Sequence, residues 1–162
     1  MHLVAFFLED QRYALPLHSV ERVVSAVEIS PLPKAPEIVL GLINMRGKIV
    51  PVLDMRRRFH LPEREPRLQD HFIVARTSNR TVVLPVDSVG GVIEIFDQEV
   101  TEATKILPSL EYIQGVVKLG EGMLLIHDLE RFLSLEEENN LYEALRDKRV
   151  KRGDGETGMG EE

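Results

Sequence analysis

The 162-residue sequence contains no cysteine and no tryptophan. Without thiols there is no disulfide, no thiolate metal site and no cysteine nucleophile. Its five histidines (His2, His18, His60, His71 and His127) are scattered, with none three or four residues from another. The local ligand pairing that announces a zinc site is therefore missing, and no metal or cofactor is expected. No Gly-Lys-Ser/Thr follows a glycine-rich turn, and no G-x-S-x-G elbow occurs, so the common phosphate-binding and hydrolase motifs are absent. No apolar run approaches the roughly 20 residues of a membrane-spanning helix. The opening Met1-His2-Leu3-Val4-Ala5-Phe6 lacks the basic region and cleavage site of a signal peptide, which leads us to expect a cytoplasmic protein. An excess of positive charge is also missing. At a formal −7, nonspecific nucleic-acid binding, which depends on basic surfaces, is disfavoured.

What the sequence does have is a repeat. Leu15-Pro16-Leu17-His18-Ser19-Val20 returns as Leu84-Pro85-Val86-Asp87-Ser88-Val89, with four identities at an offset of 69 residues. Gly41 and Asp54 stand 13 apart, as do Gly115 and Asp128, and each pair brackets an apolar stretch broken by a tight turn. Both copies close on a phenylalanine, Phe59 and Phe132. The turns differ: Asn44-Met45-Arg46-Gly47-Lys48 in the first copy and Lys118-Leu119-Gly120-Glu121-Gly122 in the second. Such a pattern implies one scaffold used twice, with the two halves dividing the work.

Short β-prone runs dominate. Leu3 to Leu8 with Arg12 to Leu17, Leu40 to Met45 with Ile49 to Leu53, and His71 to Ala75 with Thr81 to Val86 read as three hairpins. Val92 to Phe96, Tyr112 to Leu119 and Met123 to His127 complete the set. This spacing favours small barrels, and two are expected. Asp54 and Asp128 are read as N-caps of short helical segments in preference to a catalytic carboxylate pair. Ser134-Leu135-Glu136-Glu137 is a capping box that opens a helix to about Arg146. On that helix Leu141, Leu145 and either Leu135 or Tyr142 form an apolar stripe. His60 to Gln69 reads as the joint between halves, and the stretch from 147 to 162 as a disordered charged tail.

Two basic features invite a binding role. Arg56-Arg57-Arg58 could dock an acidic partner, although a solvated helical face is the better reading of such a run. In the first-copy turn, Asn44 and Gly47 serve the backbone, and nothing in a turn requires Arg46. Its planar fork of donors suits a partner carboxylate or carbonyl, with an intramolecular salt bridge as the equally weighted alternative.

The segment GLINMRGKIVPVLDMRRRF, from Gly41 to Phe59, resembles the signature region of the CheW family of bacterial chemotaxis adaptors. FFLEDQRYALPLHSVERV, from Phe6 to Val23, and YIQGVVKLGEGMLLIHDLERFLS, from Tyr112 to Ser134, match its first and last hairpins. The resemblance implies a mainly β fold of two SH3-like five-stranded barrels from an internal duplication, with short helices and a C-terminal helix, as one CheW-like domain over 1–146. Exchange of strands between halves is left open. It also implies a non-catalytic adaptor, monomeric when free, that couples chemoreceptor cytoplasmic tips to the regulatory domain of a CheA-type histidine kinase at receptor arrays on the inner membrane. By the same resemblance the receptor-binding region is Arg46, Asn44, Gly47, Gly41, Val20, Arg22 and Val23, with Leu141 or Leu145 lining the groove. Kinase-contact residues are not assigned. Arg22 departs from the family, which carries Glu there, and close approach to Arg46 would require Glu21 or a partner carboxylate between them. Two alternatives are a CheW-like scaffold of a non-motility pathway and a small barrel that binds nucleic acid. The charge and the lack of stacking aromatics weigh against the second.

Overall fold

The computed structural model describes residues 1–106, 111–120 and 122–155. Eleven strands in these segments build two sheets. They are β1 (His2–Leu8), β2 (Gln11–Pro16), β3 (Val20–Ser25), β4 (Val39–Met45), β5 (Lys48–Leu53), β6 (His71–Arg76), β7 (Thr81–Val86), β8 (Ser88–Glu94), β9 (Val100–Glu102), β10 (Ile113–Leu119) and β11 (Gly122–His127). Helices α1 (Met55–Arg58), α2 (Ala103–Ile106) and α3 (Leu135–Gly155) are joined by 3-10 turns at Leu17–Ser19, Asp97–Glu99 and Leu129–Arg131. The three predicted hairpins form as read.

The strand order reveals what the repeat alone does not. One sheet runs β8-β1-β2-β11-β10-β9 and the other β3-β6-β7-β5-β4. The N-terminal hairpin β1–β2 thus joins strands of the second copy, while β6–β7 joins those of the first. The repeated hexapeptides are the two crossovers: Leu15–Val20 leaves β2 in one sheet for β3 in the other, and Leu84–Val89 makes the reverse journey from β7 to β8. Each inserted hairpin docks through a parallel pairing, β2 on β11 and β7 on β5. The first-copy sheet rolls up where the chain beyond β3 pairs Ser30 with Leu42 of β4. In the second copy a short sixth strand, β9, takes that place on β10, one strand more than five.

Strand alternation divides the apolar residues between three cores. Phe72, Val74 and Val83 point into the first barrel with Ile43, Val50 and Val52. Leu3, Ala5 and Ala14 point into the second with Val117, Leu124 and Ile126. The opposite faces of the same strands, carrying Phe6, Leu8, Tyr13, Leu15, Ile73, Val82 and Leu84, meet between the barrels with Leu53, Met55 and Phe132. Each large side chain buried there contributes about 1.5–3 kcal/mol.

Gly41 and Gly115 occupy matching bulges, where the register slips between Val39 and Gly41 and between Ile113 and Gly115. A Cβ on Gly41 would lie 2.3 Å from the Ser30 carbonyl oxygen, and one on Gly115 would lie 2.6 Å from Val100 Cγ1. The shared glycine therefore marks where the closing segment crosses β4 or β10.

The arginine run is not a solvated face. Arg56 is only 7% exposed and bonds Glu9, Asp87 (2.6 Å) and the Pro62 carbonyl. Arg64 grips Asp70 through two bonds of 2.8 and 2.9 Å and reaches Asp87 at 2.6 Å. Arg58 pairs with Glu137 of α3 at 2.6 Å and lies over the rings of Tyr112 and Phe132. Arg57, half-buried, meets Glu37 and Glu63. Burial opposes ionisation of Asp70 and Asp87, but the Arg64 and Arg56 guanidiniums and backbone N–H donors hold both below the usual carboxylate range.

Several local expectations need correction. Asp54 caps α1, accepting from the Arg57 N–H at 3.3 Å, whereas the Asp128 side chain makes no capping bond. The last predicted second-copy strand before Tyr112 starts earlier, at Ser88, and spans Gly90-Gly91, where Gly91 takes φ 96°. The capping box forms, with Ser134 and Glu137 each donating a backbone N–H to the other's side chain. However, α3 buries Leu141 and Ala144 and half-buries Leu145, while both Leu135 and Tyr142 face solvent. The helix continues past Arg146 to Gly155; residues 156–162 of the expected tail lie outside the described residues.

His127 stands where the first copy has Leu53, fully buried between the edges of Phe59 and Phe132, with neither ring nitrogen bonded among the described residues. Burial, and then the nearby Arg58 charge, lowers its pKa to about 3.

Two outcomes follow from this packing. Gly41→Ala should cost about 3 kcal/mol or more, through the clash with Ser30, against about 1–2 kcal/mol for Gly47→Ala, which meets open space and only backbone strain; urea titrations of both variants compare them. For His127 the folded pKa lies below the unfolded one, so between the usual histidine range and about pH 3 the unfolded chain binds the extra proton. Stability should therefore fall on acidification below about pH 6.5, by roughly 1.4 kcal/mol per pH unit from this group, before the carboxylates contribute below about pH 5. Urea titrations of His127→Leu between pH 6.5 and 5 should show that slope removed.

Candidate functional site

The first-copy turn is a two-residue hairpin loop closed by the Met45–Lys48 pair. Arg46 and Gly47 both take positive φ, 54° and 86°, the conformation that matches the twist of the flanking strands. Asn44 Oδ1 accepts from the Gly47 N–H at 2.7 Å and holds the turn shut. Asn44 and Gly47 are thus explained by the backbone. Arg46 is not: its left-handed conformation costs about 1–2 kcal/mol for a residue with a Cβ. It is exposed, and among the described residues its side chain forms no ion pair or hydrogen bond. An intramolecular salt bridge, the alternative role for it, is not found among the described residues.

On β3, Val20 faces Ala75 and Val23 faces Ile73, which places both on the sheet face turned toward the other barrel. Val20 packs against the inter-barrel core, and Val23 stays 38% exposed at its margin. Arg22, opposite Val74 beside a register shift, is exposed. Neither it nor Glu21 makes a side-chain bond among the described residues, so Glu21 does not neutralise it.

Other candidates sort differently. Gly41 has the structural role given above. Leu141 is fully buried in the inter-barrel core and offers no surface to a partner, while Leu145 is half-buried beside it. The hairpin tip, Val20 and Arg22 all belong to the first barrel, and α3 contributes packing from behind.

An open cleft of about 590 Å³ lies elsewhere, floored by Tyr13, Phe59 and Ile113 and rimmed by Arg57, Arg58 and Glu137. Its cations are already paired with Glu37, Glu63 and Glu137. Among the described residues no group of three or more histidines and carboxylates is placed to hold a metal ion. No helix there is long and apolar enough to cross a membrane.

The sequence reading missed the cleft and the Arg56–Asp87–Arg64–Asp70 network. One signal was available: the repeated hexapeptide carries Asp87 where the first copy has His18, a charge placed at only one crossover.

Known proteins resemble this chain in sequence and in fold. The chain is 28% identical over 141 residues to chemotaxis protein CheW of Treponema pallidum, covering 83% of each. It is 29% identical over 137 residues to chemotaxis protein CheW of Rhizobium meliloti, covering 83% of this chain and 88% of that one. The crystal structure of the scaffolding protein TtCheW from Thermoanaerobacter tengcongensis superposes with a TM-score of 0.76 at 28% identity, over 84% of this chain and 94% of that one. With residues 2–137 matched by the family model for the CheW-like domain, the chain belongs to the CheW family.

Proposed function

We propose that this protein is a non-catalytic chemotaxis scaffold that couples the cytoplasmic tips of chemoreceptors to the regulatory domain of a CheA-type histidine kinase. The observation that carries the reading is the CheW-like match over residues 2–137. Within it, the receptor contact is assigned to the first barrel: Arg46 at the hairpin tip, with Val20, Val23 and Arg22 on β3. A receptor tip is a helical hairpin, and its apolar side chains would seat against Val20 and Val23 in a helix-in-groove mode. Arg46 supplies a charged, forked donor at the rim of that surface.

An adaptor of this kind works by raising the effective concentration of kinase near receptor. It needs two separate contact surfaces on one rigid body and no reactive group. The free protein is then a cytoplasmic monomer that is recruited to receptor arrays.

Arg46→Glu should weaken binding to a receptor-tip fragment from the same genome by at least about tenfold, the loss typical of a hot-spot arginine, and leave binding to the kinase regulatory domain unchanged. Sedimentation-velocity titrations with each partner measure both. Native protein that binds neither partner would end the coupling reading. Arg46→Gly should separate function from folding. Relief of the left-handed strain is expected to raise stability by about 0.5–1 kcal/mol, net of the greater freedom of glycine in the unfolded chain, while receptor binding is lost all the same.

A further inference from the structure

The two crossovers are equivalent in sequence and unequal in anchorage. At the second, Asp87 accepts from Arg56 and Arg64 at 2.6 Å each and from the Glu9 N–H at 2.8 Å, and its own N–H reaches the Phe7 carbonyl at 3.0 Å. Three ion-paired or charge-assisted bonds on one carboxylate fix that connection in place. At the first, His18 occupies the same position, exposed, and among the described residues its side chain makes only a 3.5 Å contact to the Ser19 hydroxyl. Leu17 is 40% exposed beside it. Pro16 is already extended, at φ −56° and ψ 136°.

The hairpin delivered by this unanchored crossover is the one that completes the second barrel. β2 carries a short parallel ladder to β11, and β1 carries the edge strand β8. None of these contacts depends on which molecule supplies the hairpin; only the crossover does.

We propose that β1–β2 is an exchangeable arm and that its partner is a second copy of this chain. In the exchanged form each second barrel is completed by the other copy's hairpin, every strand pairing is kept, and Leu17–Ser19 opens into an extended link. The result is a closed two-fold dimer carrying two coupler bodies. Intramolecular closure normally wins, because a short linker holds the arm at an effective concentration on the order of millimolar. Exchange takes over where the crossover cannot fold back.

The test removes Leu17–Ser19 from the full chain. That leaves one Cα–Cα step of about 3.8 Å where the 3-10 turn now spans about 8 Å, so the arm cannot reach its own barrel. Sedimentation equilibrium should give twice the monomer mass with an unchanged far-ultraviolet dichroism spectrum. A folded monomer would overturn the proposal. A second measurement decides the matter should the shortened chain not fold. Two differently tagged native chains, unfolded in urea and refolded together at about millimolar concentration, should yield a hetero-tagged dimer that is absent when they are refolded apart and then mixed. Failure to recover that species would equally overturn it.

Discussion

Everything in this molecule depends on the reciprocal exchange of two hairpins, one from each copy. Neither barrel closes from its own repeat, because β1–β2 completes the second and β6–β7 the first. The strands that bridge the barrels carry apolar residues on both faces. One face fills a barrel, and the other fills the space between barrels with Phe6, Leu15, Ile73 and Leu84. Removing water from the shared core therefore requires both barrels at once. The two subdomains are one cooperative body by construction, and their relative orientation is set by packing, with little left to the linker. For a scaffold this matters, because contact surfaces keep a fixed geometry only if the body between them does not flex.

The ionic layer refines this arrangement more than it drives it. A buried ion pair contributes little compared with apolar packing, but removing one partner leaves a charge stranded at a cost of about 3–5 kcal/mol. Arg56, Asp87, Arg64 and Asp70 satisfy one another around the second crossover, and α1 delivers Arg58 to Glu137 at the start of α3. The same Glu137 accepts the Ser134 N–H, so helix capping and helix docking share one carboxylate. Here the copies have diverged in opposite senses. The second keeps Asp87 for cohesion and buries His127 where the first has Leu53, while Arg46 of the first makes no side-chain bond among the described residues.

Much of this was legible in the residues, for reasons that are themselves physical. Hairpins such as β4–β5 and β6–β7 announce themselves because both faces are buried and their turns are polar. β3 was missed because Glu21 and Arg22 interrupt its apolar face, and only its pairing with β6 makes it a strand. β9 and α2 are too short to carry a period. The arginine run was misread because burial of a guanidinium depends on carboxylates brought from Glu9, Asp87 and Glu137, all distant in sequence. Helical periodicity finds the stripe with Leu141 but not what covers it, and the groove-lining role that the resemblance implied for Leu141 meets a fully buried side chain. The exchange itself left its mark as the repeated hexapeptide, yet a repeat read along one dimension cannot say that it crosses between sheets.

The fold holds Arg46 in a left-handed conformation that the turn does not demand of an arginine. A strained residue persists only when its surroundings over-determine its conformation. Those surroundings are present here: Asn44 clamps the Gly47 N–H, the Met45–Lys48 pair closes the ladder, and Val50 and Val52 anchor β5 in the first barrel. The exchanged hairpin then anchors that barrel through β7 on β5. The backbone at Arg46 is therefore fixed before any partner arrives, whereas its exposed side chain, unbonded among the described residues, keeps its rotamer freedom. A flexible loop carrying the same arginine would have its backbone left to order as well on binding. In the second copy the place of Arg46 is taken by Gly120, whose φ of 50° carries no Cβ penalty.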